Sequence, residues 1–465
     1  MRTEQAAFLA ELKNILPESQ IVTDPDTLQN YGSDWTKHYD IRAGAVLFPQ
    51  STEQVAAIVR LARAKKVALI PSGGRTGLSG GACALNGEVV VSLEKMNRIL
   101  DFNPIDRTVT CEAGVVTEAL QNYVRDQGFY FPVDFASRGS SQIGGNIATN
   151  AGGIKVIRYG NFREWVGGLK VVTGRGDVLE LNRSLIKNNT GFDLRHLFIG
   201  SEGTLGFITE ATLRFTAPTK PLSVLTLGVP DLDAVMKVFR AFRDGVELMA
   251  FEFFSELALK YVMKSTGLPR PFATETPYYL IVEVEQTDDN TQERTLEIFQ
   301  SCLESNWVLD GAVAQSETQA RDFWRLREDI SEATAPYMPY KNDISVTISK
   351  VPEFLRETDA VFRRHYPDFE VVWFGHIGDG NMHVNILKPE GMSRDTFVER
   401  CKKVDEILFD VIQKLGGSVS AEHGVGLVKK PFLHYTRDPA EIELMKGIKT
   451  VFDPDGIMNP GKIFD

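Results

Sequence analysis

Three of the chain's seven histidines lie in two short glycine-flanked segments. The first runs Trp373-Phe374-Gly375-His376-Ile377-Gly378-Asp379-Gly380-Asn381-Met382-His383-Val384-Asn385. The second is Ser420-Ala421-Glu422-His423-Gly424-Val425-Gly426. Asp-Gly is the preferred centre of a two-residue hairpin turn. With Asp379-Gly380 at that centre, counting outward sets Gly378 opposite Asn381, Ile377 opposite Met382 and His376 opposite His383. Opposed side chains have Cβ atoms about 4.5–5.5 Å apart on one face of a sheet, and Phe374 and Asn385 fall on that same face. Two imidazoles so placed can share a metal. Glu422 offers a third ligand, and two histidines with one carboxylate and an open position make the donor set of catalytic zinc. Singly, each histidine would read as an ordinary hydrogen-bonded residue; as a set they read as a metal site.

A different chemistry is suggested by glycine. The clusters are Gly73-Gly74-Arg75-Thr76-Gly77 with Gly80-Gly81, Gly144-Gly145-Asn146 with Gly152-Gly153, and Gly200-Ser201-Glu202-Gly203. Glycine reaches positive φ and lets backbone N–H groups approach an anion without a Cβ in the way. Read as three loops, each after a strand and interleaved with the donors Ser140, Ser141 and Thr149, they suit a diphosphate ligand better than ordinary turns. No G-x-G-x-x-G stands in a βαβ setting, so a Rossmann cradle is excluded. The stretch Gly456–Lys462 mimics a Walker A loop but lacks its Ser/Thr and the helix after it.

The elements that must position these residues follow from periodicity. Ser51 with Gln54 makes a capping box that opens a helix over 53–65, between short strands at 45–49 and 67–71. Further strands are expected at 88–93, 108–112, 168–173, 178–181 and 207–215, with a helix at 117–127. Beyond Pro218 and Pro221, strands at 222–229, 247–254, 278–285, 307–313, 369–377 and 382–388 alternate with helices at 231–242, 291–304 and 394–415. That is the pattern of an antiparallel sheet covered by helices. A last helix covers 442–452. The organisation read from this is an N-terminal helical segment (1–41), a ligand-binding α+β domain (42–217), a second domain (218–420) and a C-terminal segment completing the site (421–465).

Composition bounds the function. With 465 residues, 43% hydrophobic and 24% charged, the chain is an ordinary globular one. Its 51 Lys+Arg against 62 Asp+Glu give a net charge of −11, which argues against a nucleic-acid partner. Cys83, Cys111, Cys302 and Cys401 show no C-x-x-C spacing, which excludes an iron–sulfur cluster or cysteine zinc knuckle. Far-apart thiols in a long chain read as reduced and cytosolic. The start lacks a basic n-region and apolar h-region, and no uncharged apolar stretch approaches the length of a membrane span. The expected location is cytoplasmic, free or peripheral to the inner membrane.

Several of these segments resemble a known family. Pro71-Ser-Gly-Gly-Arg-Thr-Gly77, Ile143-Gly-Gly-Asn-Ile-Ala-Thr-Asn-Ala-Gly-Gly153 and Leu197-Phe-Ile-Gly-Ser-Glu-Gly-Thr-Leu-Gly206 are similar to the FAD-binding domain of the vanillyl-alcohol-oxidase/PCMH type. Gly375–His383, Glu422–Gly426 and Phe452–Lys462 resemble the C-terminal half of its FAD-linked D-2-hydroxyacid dehydrogenases. Within that family Lys187–Leu194, Phe131–Ser141, Trp324–Glu328 and Tyr340-Lys341 look most like the hydroxyglutarate-oxidising branch.

The resemblance implies an α+β FAD domain, an antiparallel-sheet substrate domain and a helical C-terminal part. It implies FAD contacts at Pro71, Gly73, Gly74, Arg75, Thr76, Gly77, Ser140, Ser141, Gly144, Gly145, Asn146, Thr149, Gly152, Gly153, Glu202, Gly203, Ile208 and Asn459. Residues 71–81 contain no histidine for a covalent link, so the FAD is expected to be noncovalent. Zinc is implied at His376, His383 and Glu422. Arg327 and Lys341 match residues that hold substrate carboxylates, and Asn385 matches a substrate contact. Ser331 stands where the hydroxyglutarate branch has threonine and keeps the hydroxyl. His423, beside Glu422, is the expected general base and touches substrate, since neutral imidazole titrates near working pH. With no haem or iron–sulfur motif, electrons must leave to an external acceptor. The resemblance implies electron-transfer flavoprotein; a quinone met at a membrane surface is the other route, and a homodimer is expected. The rival expectations are a D-lactate or glycolate dehydrogenase with the same machinery, a noncatalytic flavin-binding subunit of a larger oxidase, and a metal-free flavin oxidase.

Overall fold

Ser51 opens its helix as its type and spacing require. In the computed structural model, which describes residues 3–37 and 39–465, Ser51 Oγ accepts a hydrogen bond from the Gln54 N–H at 3.3 Å. Gln54 Oε1 reaches one residue beyond the cap, accepting from the Gln50 N–H at 2.7 Å. The helix runs Thr52–Lys65 and ends at Lys66 with a left-handed φ of 54°. Val55, Ile58, Val59 and Ala62 form one buried face, as the helical period dictates. They share a core with Phe8 and Leu12 of the N-terminal helix Thr3–Leu12.

The chain divides into two units. The first comprises Met1–Gly152, Gly160–Pro218 and Glu422–Asp465. Its strands β1 (Ile21–Val22), β2 (Ala45–Leu47), β3 (Leu69–Ser72) and β4 (Val89–Ser92) form a sheet in the order β1-β2-β4-β3, parallel across β2, β4 and β3. Parallel strands are covered on both faces, which is why β4 is buried at every position. A second, antiparallel sheet has β5 (Ile99–Asn103), β6 (Thr108–Glu112), β7 (Val166–Thr173), β8 (Val178–Leu181) and β9 (Gly206–Arg214) in the order β5-β6-β9-β7-β8. Leu120 and Val124 of the helix Thr117–Asp126 share its core with Phe452 of the last helix, Pro439–Phe452.

The second unit comprises Gly153–Tyr159 and Thr219–Ala421. It is built on β10 (Leu222–Val229), β11 (Leu248–Ser255), β12 (Tyr278–Glu285), β13 (Asp310–Val313), β14 (Tyr340–Ser345), β15 (Val371–His376) and β16 (Asn381–Ile386). Their order is β13-β10-β12-β11-β15-β16-β14, and every neighbouring pair is antiparallel. Helices Glu256–Thr266 and Glu317–Glu328 bury Leu259, Phe323 and Leu326 in one core with Phe254, Tyr279 and Phe374 of the strands.

Four expectations are corrected. The hairpin turn holds four residues, Ile377–Gly380, so His376 pairs with Asn381 and Phe374 with His383. A two-residue type I′ turn needs positive φ at both centres, and of Asp379 and Gly380 only Gly380 takes one (89°). The middle glycine cluster is not a loop after a strand: Ile143–Thr149 is a helix. Packing outweighs the helix-breaking tendency of Gly144, where a Cβ would come within 2.7 Å of the Ala113 Cβ. The third cluster follows the short helix Arg195–Phe198 and precedes β9 rather than following a strand. The strand expected over 307–313 forms only at Asp310–Val313. The helices Glu256–Thr266, Glu317–Glu328 and Val351–His365 and the strands β5 and β14 are additional to the elements expected.

Candidate active site

In the first unit, β3 ends at Ser72 and releases the first glycine segment into a cleft with about 1010 Å³ of empty space, part of it open to solvent. The segment is fixed from below. A Cβ on Gly74 would meet the Ser140 carbonyl oxygen at 2.2 Å, so only glycine fits that close approach. Arg75 takes a φ of 57°, donates Nη1–H to the Gly73 carbonyl at 3.2 Å and lays its guanidinium 4.0 Å over Tyr31. Gly145 has open space where a Cβ would stand. Behind the wall, the buried Thr117 hydroxyl bonds Ser141 Oγ at 2.8 Å and accepts from Asn146 Nδ2 at 2.6 Å.

The segment Glu422–Gly426 closes one side of this cleft. Ser79 Oγ donates to the carbonyls of His423 (2.7 Å) and Gly424 (2.9 Å), and His423 itself lines the cleft. Glu202, at a φ of 51°, accepts from the N–H groups of Val425 (2.7 Å) and Gly426 (2.8 Å). Burial pushes its carboxyl up to about 7, against those two donors, which favour the ionised form. Asn459 Nδ2 donates to the carbonyls of Gly81 (2.9 Å) and Glu202 (2.7 Å). Lys462, of the Walker-like stretch, is buried and donates to the Cys83 carbonyl at 2.7 Å, a structural tie.

The cleft fits a flavin nucleotide. Pro71, Gly73, Gly74, Arg75, Thr76, Gly77, Gly144, Gly145, Asn146, Thr149, Glu202, Gly203 and Ile208 all line it. Two further lining atoms, Ser72 Oγ and Gln142 Oε1, are buried with no hydrogen-bond partner among the described residues. Such atoms need a ligand or water to satisfy them. Ser140, Ser141, Gly152 and Asn459 are not among the residues that line the cleft, and Gly153 belongs to the second unit.

In the second unit one sheet face gathers the other chemistry. Shifting a register by two leaves each side chain on its own face, so His376 and His383 remain neighbours, with ring centroids 5.4 Å apart. One nitrogen of each lies within 4.8 Å of the other's. His376 Nδ1 is 2.8 Å from Glu252 Oε1, and His383 Nδ1 is 3.6 Å from Asp343 Oδ1, opposite it on β14. A carboxylate hydrogen-bonded to Nδ1, as Glu252 is to His376, fixes the ring and leaves Nε2 available, the arrangement that supports metal-ligating histidines. The donor set therefore suits zinc.

Glu252 also faces Arg327, whose Nη2 lies 2.9 Å from Oε2. Both residues are buried. Burial alone would raise the Glu252 pKa; His376, then Arg327, hold it below the usual carboxylate range instead. The helix Glu317–Glu328 sets the Arg327 guanidinium 4.9 Å over the Phe374 ring, with no hydrogen-bond partner for Nε among the described residues. Lys341 pairs with Asn385 across β14 and β16, and the buried Asn385 Nδ2 also has no hydrogen-bond partner among the described residues. Ser331 lies exposed, four residues beyond Arg327.

Sequence reasoning missed Glu252 and Asp343. The signal for Glu252 was one carboxylate inside the apolar run Leu248–Ser255, which cannot be buried without a charged partner.

The pattern of the FAD binding domain matches residues 43–182, and that of FAD linked oxidases, C-terminal domain, matches residues 220–463. The chain is 58% identical over 458 residues to a D-2-hydroxyglutarate dehydrogenase of Stutzerimonas stutzeri, covering 98% of this chain and 99% of that one. It is 54% identical to a protein of the same name from Xanthomonas citri pv. viticola, covering 98% and 97%. In fold it is similar to a 4-ethylphenol oxidase from Gulosibacter chungangensis, with a TM-score of 0.78 at 18% identity over 100% of this chain and 98% of that one. Among the described residues no helix is long and apolar enough to cross a membrane. Matched in both parts by these patterns and along its length by these relatives, the chain belongs to the FAD-linked D-2-hydroxyacid dehydrogenases of the vanillyl-alcohol-oxidase-type fold.

Proposed function

We propose that this chain oxidises D-2-hydroxyglutarate to 2-oxoglutarate with noncovalent FAD and zinc. The observation that carries the substrate is the pair of cations on the second unit's site face. Arg327, with Nε open, grips one carboxylate in a fork, and Lys341 adds a point charge for the other. A monocarboxylate such as D-lactate or glycolate would leave one of them idle. Asn385 and Ser331 add neutral hydrogen bonds to the substrate.

In this reading His376, His383 and Glu422 hold the metal. When bound, zinc lowers the pKa of the substrate hydroxyl and FAD accepts the C2 hydride at N5. His423, whose backbone Ser79 fixes, takes the hydroxyl proton on its imidazole. Glu252 and Asp343 orient the histidine rings. The two electrons then pass to electron-transfer flavoprotein or another external acceptor, and the enzyme works in the cytoplasm as a homodimer.

Anaerobic stopped-flow reduction of the flavin tests this, comparing D-2-hydroxyglutarate, D-malate, D-lactate and glycolate before and after chelation. The expected result is fastest bleaching by D-2-hydroxyglutarate, abolished by chelation and restored by zinc. A preference for D-lactate would move the substrate to the monocarboxylates. No bleaching by any of them in FAD-loaded, metal-replete protein would sink the enzyme reading.

A further inference from the structure

Asp34 stands in the N-terminal segment, outside the residues 43–182 matched by the FAD-binding pattern, and nothing so far gives that segment a role in binding. Its carboxylate is buried (5% exposed), yet it lines the flavin cleft. Oδ1 is fully used: it accepts from the Thr36 N–H at 3.0 Å, from the Thr36 hydroxyl at 2.5 Å and from the Cys83 thiol at 3.4 Å. Oδ2 has no hydrogen-bond partner among the described residues. It faces the first glycine segment, 3.7 Å from where a Cβ on Gly77 would be. The adjoining Trp35 N–H donates to the Gly77 carbonyl at 3.0 Å, which locks the two segments together.

A buried carboxylate oxygen left without a donor is costly, and such atoms in native proteins usually mark a ligand or an ordered water. The charge narrows the choice of ligand. A pyrophosphate would repel Asp34, whereas a hydroxyl or a ring N–H would form a charge-assisted hydrogen bond. A flavin nucleotide carries both kinds of donor on its ribityl chain, ribose and rings. We propose that Asp34 is a cofactor-binding residue whose Oδ2 accepts a hydrogen bond from a hydroxyl or N–H of FAD, so that the N-terminal segment forms part of the flavin site. This rests on the assignment of FAD to the cleft.

The test uses the full-length chain stripped of flavin. FAD is titrated into wild type, Asp34→Asn and Asp34→Ser while flavin fluorescence is followed, and the melting temperature of each flavin-free protein is taken from the same preparations. Asp34→Asn keeps the Oδ1 acceptor for Thr36 and removes the charge. The expected result is at least a tenfold loss of FAD affinity, with the flavin-free melting temperature unchanged or raised because an uncompensated oxygen has gone. Affinity within twofold of wild type in both variants would overturn the proposal. So would a flavin-free melting temperature that falls with no change in affinity, which would make Asp34 a structural tie. If wild type itself does not bind FAD, it is the cofactor assignment that fails. Competition with FMN and with ADP locates the donor in whichever half of the cofactor loses affinity.

Discussion

Glu252 brings two functions within reach of one side chain. One oxygen faces His376 and the other faces Arg327, so the ring proposed to hold the metal and the cation proposed to hold the substrate carboxylate depend on the same group. Breaking a buried pair by neutralising one partner costs about 3–5 kcal/mol, because the other charge is left uncompensated. Glu252→Gln should therefore lower the melting temperature and leave the desalted protein short of zinc, read by elemental analysis; full zinc occupancy would remove the metal half of the argument. Glu202 makes a different prediction, in pH. An ordinary glutamate has its pKa at 4.5, and burial moves this one to about 7. Between those values the folded chain keeps a proton that the unfolded chain has released. Stability must then fall as pH rises from about 4.5 to 7 and stay level above. In the flavin-free protein, the melting temperature of wild type relative to Glu202→Gln should decline over that interval; parallel profiles would refute it. The glycines and histidines were legible because their chemistry is local, whereas Glu252 was not, since its histidine lies 124 residues away.

At the scale of elements the hairpin β15–β16 shows what survives an error of register. The strand period of two keeps His376, His383, Phe374 and Asn385 on one face whether the turn has two residues or four. The face was therefore readable although the pairing was not. Strand β14 was illegible for a complementary reason: Tyr340-Lys341-Asn342-Asp343 has the composition of a loop, and it becomes a strand because its polar side is the site face. The helix Ile143–Thr149 was hidden in the same way by glycines that close packing demands. The turn itself can be tested. Gly380 has a φ of 89°, and a Cβ there would meet the Val346 carbonyl oxygen at 2.1 Å. Gly391 has a similar φ of 76° and open space around it. Alanine at Gly391 should cost only the backbone term, about 1–2 kcal/mol. Alanine at Gly380 should cost clearly more and reduce zinc retention. Equal losses of melting temperature would mean that the loop simply shifts to relieve the clash.

For the whole molecule, the order of the chain matters as much as its folded contacts. The first unit is finished by its own last residues. The Asn459 N–H donates to the Leu69 carbonyl at 2.8 Å, its side chain ties Gly81 to Glu202, and Lys462 ties the Cys83 carbonyl. Everything from Thr219 to Ala421 comes between those residues and the glycine segment they secure. On a ribosome, where a chain emerges from its N-terminus outward, the second unit has all its residues before the first has its closing ones. Cofactor capture should then wait until residues 459–462 have emerged and folded back onto the glycine segment. A chain arrested or cut before residue 456 should accumulate colourless, with its second unit protease-resistant and no flavin absorbance; a truncated protein purified yellow would show that the cradle sets without its closing residues.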